Sequence, residues 1–243
     1  WSANLRRQFG LRLPQSGYAA SPLVINNSVI LPTCGHSASE ETESLEVERE
    51  MRRSAEQIPG AVALNSESGK LIWRAPSFRS SHSSPISATI EGTTTVIIHG
   101  MFELVGIDAK SGAILWRHVL RRSAADNVAF TPLWDTERQQ VIVSHGYCAK
   151  GTQAIRIRKD ARQWRTSAAW SNSQMRTVHT NAIVTNGVIV ATNRSPSGLL
   201  LGIDLESGKT LFRKRLSGSS TMIRRGAEIL MLSEKGDLIC VRV

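Results

Sequence analysis

Short apolar runs closed by polar turns recur along the chain. PLVINNSVIL (22–31), NAIVTNGVIVA (181–191) and TMIRRGAEILML (221–232) are pairs of β-rich runs joined by Asn-Asn, Asn-Gly or Arg-Gly. Such pairs predict hairpins, because a two-residue turn that tolerates positive φ matches the twist of paired strands. Each pair follows a step rich in Ser or Thr, a column made of Ser21-Pro22, Ser84-Pro85, Thr131-Pro132, Thr180-Asn181 and Ser220-Thr221. A second kind of hairpin lies downstream. LNSESGKLIW (64–73), IDAKSGAILW (107–116) and IDLESGKTLF (203–212) align without gaps. Asn65, Asp108 and Asp204 are suited to accept bonds from their own turn, and Gly69, Gly112 and Gly208 to supply its left-handed residue. Trp73, Trp116 and Phe212 end the outgoing strands. A worn copy, IRIRKDARQW (155–164), keeps Trp164 in the aromatic place, with Arg156 for the acid and Lys159-Asp160 for Ser-Gly.

The aromatic positions are spaced 43, 48 and 48 residues apart. Two hairpins in that length make one four-stranded blade, so the fold class is all-β, a β-propeller of four-stranded blades. About five blades fit within residues 1–243 as a single domain. Trp1 to Leu5 matches Trp116 to Leu120 in spacing, so Trp1 reads as the end of a hairpin that begins before the chain. GDLICVRV (236–243) reads as a third strand whose fourth is absent. One segment, HSASEETESLEVEREMRRSAEQIP (36–59), has helical composition and no β pattern. It is expected as an insertion between the second and third strands of a blade, either a solvated loop or a partner-docking arm.

Charge changes the picture in one respect. The net charge is +10, with 23 Arg and 7 Lys, while segment 36–59 carries seven Glu against three Arg. The remainder is therefore strongly basic, which suits acidic partners. An arginine follows each repeat aromatic, at Arg74, Arg117, Arg165 and Arg213. In a strand that side chain faces away from the aromatic, so these charges also serve to guard outer edges. Cys34, Cys148 and Cys240 form no CxxC pair, so neither a zinc knuckle nor a haem attachment has support. No run of apolar residues is long enough to span a membrane as a helix.

The acidic-x-x-Ser-Gly-x-x-Leu-Trp hairpins resemble the PQQ-like (quinoprotein-like) β-propeller repeat family. The run WSANLRRQFGLRLPQSGYAASPLV followed by GAVALNSESGKLIWRA is similar to a bacterial branch related to the outer-membrane barrel assembly scaffold lipoprotein. The resemblance implies a part of a ring of about seven or eight blades. It also implies a structural role for Trp73, Trp116, Trp164 and Phe212 as wedges between blades, and a periplasmic or otherwise extracytoplasmic location. Members that oxidise alcohols stack a quinone against adjacent cysteines and hold calcium with clustered acids. No adjacent cysteines occur here, and Asp is scattered, so no catalytic, cofactor-binding or metal residue carries over. PQQ and calcium enter by family resemblance alone.

His99-Gly100 and His145-Gly146 occupy similar places in consecutive repeats, as turn histidines lacking further ligands for a metal. The family geometry sets Tyr18, His82, Phe130 and His179 near the central funnel, where rings could form a binding surface. The leading expectation is a non-catalytic scaffold whose partner is another protein. The alternatives are a quinone-dependent alcohol or sugar dehydrogenase with its catalytic residues elsewhere and, last, binding of nucleic acid or an anionic surface through arginine-rich faces.

Overall fold

The computed structural model of the chain describes residues 1–11, 17–33, 58–120, 128–178, 180–193 and 198–242. Its contacts divide it into two compact units, Trp1–Leu120 and Arg121–Val243. In the first unit, β1 (Leu23–Ile25), β2 (Ser28–Pro32), β3 (Ala61–Asn65) and β4 (Leu71–Arg74) form one antiparallel sheet in sequence order. β5 (Ile86–Ile90), β6 (Thr93–His99), β7 (Glu103–Asp108) and β8 (Ile114–Val119) form the next. The second unit holds three sheets, again meandering in order. They are β9 (Leu133–Asp135), β10 (Gln140–Ser144), β11 (Thr152–Asp160) and β12 (Gln163–Asn172); β13 (Ile183–Thr185), β14 (Val188–Thr192), β15 (Leu199–Asp204) and β16 (Thr210–Arg215); and β17 (Ser220–Arg225), β18 (Glu228–Ser233) and β19 (Leu238–Arg242). These five sheets are propeller blades, four with four strands and the last with three among the described residues.

Local chemistry accounts for the hairpins. The turns between the first two strands of three sheets set Asn26, Glu91 and Asn186 at φ 49°, 48° and 49°. Gly92 and Gly187 follow at 73° and 75°, the paired positive angles that a two-residue turn needs. Central strands are buried on both faces, as in Gln140–Ser144. In the first unit Ile30, Ala61, Ala63 and Trp73 of one sheet meet Val96, Ile98, Val105 and Ile107 of the next. In the second unit Phe130, Ile142, Ala154 and Met175 meet Ile189, Ala191, Leu201 and Ile203. A further cluster joins Val190 and Leu200 to Ile229 and Met231.

The spacing match between Trp1–Leu5 and Trp116–Leu120 does not carry into the structure. Leu120 follows a strand, whereas Leu5 opens a helix, α1 (Leu5–Phe9). Asn4 caps it, its side chain accepting from Arg7 N at 3.0 Å, and Gly10 ends it at φ 65°. Leu5 and Phe9 lie one turn apart and pack, with Leu11, on Val62 and Leu64 of β3. The charged segment 36–59 falls between β2 and β3, and its residues 36–57 lie outside the described residues.

Candidate functional site

The repeat turn is the element from which inter-blade contacts are built. Asn65 Oδ1 accepts from Glu67 N at 3.1 Å, Ser68 N at 2.8 Å and Ser68 Oγ at 2.8 Å. Asp108 Oδ1 does the same for Lys110 N, Ser111 N and Ser111 Oγ at 3.0, 2.7 and 2.8 Å. Asp204 Oδ1 takes Ser207 N and Oγ at 2.7 and 2.6 Å. These bonds hold a tight loop that ends on Gly69, Gly112 and Gly208, all near φ 70°. The loop exposes two things to a neighbour: a bare glycine face and the carbonyl just after the Asn or Asp.

A tryptophan fills each of these sockets. Trp73 lies on Gly112 and donates from Nε1 to Ala109 O at 3.0 Å. Trp1 lies on Gly69 and donates to Ser66 O at 2.9 Å. In the second unit the ring on Gly208 is Trp170, donating to Leu205 O at 3.1 Å. The alignment places Trp164 there instead. Trp164 lies further out on the same hairpin, with Lys159 Nζ 5.2 Å from its ring centroid. The reason is length, since β11 and β12 run nine and ten residues and carry the docking ring six positions along. The forward distance held a signal for this. Trp73 precedes its glycine by 39 residues and Trp170 by 38, whereas Trp164 would precede it by 44.

Two further ties were invisible in the repeat pattern. Buried Gln140 donates from Nε2 to Leu205 O at 3.0 Å and to Asp135 Oδ2 at 3.1 Å. Asn172 donates to Gly208 O at 2.7 Å and accepts from Gln174 N and Met175 N. The Ser/Thr column also links neighbouring blades, Ser21 N to Ser84 Oγ at 2.9 Å and Thr131 N to Asn181 Oδ1 at 3.1 Å.

Trp116 differs from Trp73. It is buried, but its Nε1 has no hydrogen-bond partner among the described residues. Phe212, half-buried, has no such donor to place. Replacing Trp73 with Phe leaves Ala109 O without its donor and is expected to cost about 1–3 kcal/mol. Trp116→Phe removes a donor that is already without an acceptor, so its cost in parallel urea titrations should be at least about 1 kcal/mol smaller.

The residues expected at a funnel mouth fare differently from one another. Tyr18 is 41% exposed, and His82 is half-buried in the same unit. Burial holds the His82 imidazole below its ordinary pKa, and its Nδ1 has no hydrogen-bond partner among the described residues. Phe130 is 1% exposed in the core of the second unit, so it offers no binding surface; its ring fills the space between two packed sheets. His179 lies outside the described residues. His99 and His145 are buried at strand ends, where His99 O accepts from Ser81 Oγ and His145 Nδ1 accepts from Tyr147 N at 3.3 Å. Among the described residues no three His, Cys, Asp or Glu side chains gather to hold a metal ion. The post-aromatic arginines are variously engaged: Arg74 over the Phe9 ring at 4.9 Å, Arg117 with Glu103 at 2.9 Å, and Arg165 with Asp160 at 3.0 Å.

The turn carboxylates have a titration consequence. Hydrogen bonds from Ser207 hold Asp204 below its ordinary value. For Asp108 burial pushes the other way, but bonds from Ser111 and Lys110 outweigh it, and its pKa is also lowered. A carboxyl depressed in the folded state stabilises fully above the ordinary range near pH 4 and loses that contribution as pH falls. Asn65 shows that an amide oxygen can accept the same bonds. Asp204→Asn should therefore keep the fold at pH 7 and flatten the fall in melting temperature between about pH 5 and pH 2.

A family model described as outer membrane protein assembly factor BamB matches residues 46–243. Among solved structures, the chain is similar to BamB from Moraxella catarrhalis, 20% identical with a TM-score of 0.53 over 75% of this chain and 54% of that one. Saccharomyces cerevisiae Sqt1 is 14% identical, TM-score 0.54, over 75% and 53%. The quinohemoprotein alcohol dehydrogenase of Comamonas testosteroni is 12% identical, TM-score 0.53, over 84% and 42%. The chain thus spans about half the length of these proteins, and at such identities the likeness is one of fold. No curated protein matches the chain.

Proposed function

Since the chain belongs to the PQQ-like propeller family of the outer membrane protein assembly factor BamB, we propose that it is a non-catalytic, extracytoplasmic scaffold that holds another protein. One observation supports this reading above the rest: the repeat acids are engaged in their own turns. Asp108 Oδ1 accepts three bonds and Asp204 Oδ1 two, all from the loop each residue opens. A carboxylate so used is a poor general base, because the bonds it accepts favour its charged form and hold its pKa below the ordinary value. The side chains that the repeats share thus serve packing, and the outward surfaces are left for recognition.

In the first unit, exposed Tyr18 and half-buried His82 are the residues proposed to face the partner. A photo-crosslinking side chain at position 18 of the full-length protein should capture a component of outer-membrane protein assembly. The same probe at the exposed end of β8, Val119, should not. Stoichiometric quinone binding with alcohol-dependent dye reduction by the full-length protein would overturn the scaffold reading.

A further inference from the structure

The β11–β12 hairpin is longer than the packing of its blade requires. Arg156 pairs with Gln140 as Asn65 pairs with Ser28, so the two stand at the same level of their sheets. Trp73 follows Asn65 by eight residues, whereas Trp170 follows Arg156 by fourteen. The additional six residues lengthen each strand by three, or about 10 Å. Ile157, whose N–H bonds Gln139 O at 2.8 Å, ties the base of this extension to the inner hairpin. Beyond it, Arg158, Asp160, Ala161, Arg162, Gln163 and Arg165 are all exposed.

The extension is also unfavourable in charge. Residues 155–165 hold five cations and one carboxylate. Arg158 stands directly across from Arg165, and Arg156 lies two residues from Arg158 on the same face. Like charges directly opposed across a strand pair destabilise it. Asp160 answers Arg165 alone, at 3.0 Å, and Arg158 has no carboxylate partner among the described residues. Guarding an edge strand needs charge, but neither an opposed arginine pair nor added length. The other face carries Trp164 opposite Lys159, with the ammonium over the ring. The setting is electropositive as well. Residues 121–243 hold 19 Lys and Arg against 9 Asp and Glu, whereas residues 1–120 hold 11 of each.

We propose that the tip of this hairpin, residues 156–165, docks on the phosphate headgroups of an anionic membrane surface. Guanidinium forks bind phosphate oxygens in pairs, so a phosphate layer would relieve the repulsion between Arg158 and Arg165. A tryptophan beside cations suits the boundary between headgroups and acyl chains, where an amphipathic ring and a snorkelling lysine both find their place. Choosing a membrane over nucleic acid rests on the extracytoplasmic reading above, and the test separates the two.

The full-length protein is mixed with vesicles of phosphatidylcholine containing one quarter phosphatidylglycerol, and the bound fraction is read by co-sedimentation. Each cation near an anionic surface is worth about fivefold in partition. Arg158→Gln with Arg165→Gln should therefore lower partition about 25-fold, and Arg162→Gln alone about fivefold. Both variants should melt no lower than the parent, since Arg158, Arg162 and Arg165 are exposed and the double variant removes an opposed like-charge pair. Arg213→Gln with Lys214→Gln, an equal charge loss on β16, should lower partition less than fivefold. Equal losses from the two double variants, or no binding to these vesicles, would overturn the proposal. Tighter binding of a DNA duplex than of vesicles at the same salt would overturn it in favour of nucleic acid, and would leave the protein-scaffold reading to its own crosslinking test.

Discussion

Replacing Trp73 with alanine is expected to destabilise the first unit by about 3–5 kcal/mol, the range for truncating a buried tryptophan. The ring is 6% exposed, fills the face of Gly112 and satisfies Ala109 O, so its loss opens a cavity and leaves a carbonyl without its donor. Trp170→Ala should follow at about 2–4 kcal/mol, because the same contacts are made by a ring that is only half-buried. Trp164→Ala should cost less than about 1 kcal/mol, since its recorded ring contact is with a lysine on the same hairpin. Urea unfolding of the three variants gives the order. A Trp164 variant that ranked with Trp73 would mean that Trp164, and not Trp170, is the docking ring.

The second large effect is expected at Gly112. Its φ is +76°, and a Cβ there would stand 2.7 Å from the Trp73 ring. Valine would impose both costs together. A β-branched residue in left-handed backbone costs about 1–3 kcal/mol, and overpacking a filled contact costs about as much again. Gly112→Val should therefore lose about 3–5 kcal/mol in the same titrations. Gly187→Ala provides the contrast. Its φ is +75°, but nothing lies within 4 Å of the added carbon, so only the backbone part should remain, about 1–2 kcal/mol. A Gly112→Val loss no larger than that of Gly187→Ala would show that the ring yields and that the socket is not a rigid contact.

The hairpins were legible because their causes are local. Asn65, Asp108 and Asp204 bond to atoms within three residues, and the Asn26 and Asn186 turns need only the positive φ of adjacent residues. The repeat period followed from them, and with it the blade. The Ser/Thr column was equally visible, although its role was not: Ser84 and Asn181 bind the N–H of the preceding blade.

Tertiary structure decided what each side chain meets. The aligned aromatic in the worn repeat is Trp164, yet Trp170 reaches Gly208, because the reach of a side chain into the next sheet depends on strand length and not on its column in an alignment. Phe130 stands in the same column as exposed Tyr18 and is buried, because Ile142, Ala154 and Met175 close around it. Gln140 and Asn172 carry no repeat signature, since each answers a carbonyl some 36 to 65 residues away that only folding brings near. The sequence by itself determined which residues turn and which run straight, from bonds that close within a few residues. The sockets, their occupants and the length of the basic hairpin became meaningful only when one sheet was set against the next, because burial and reach are properties of two surfaces in contact.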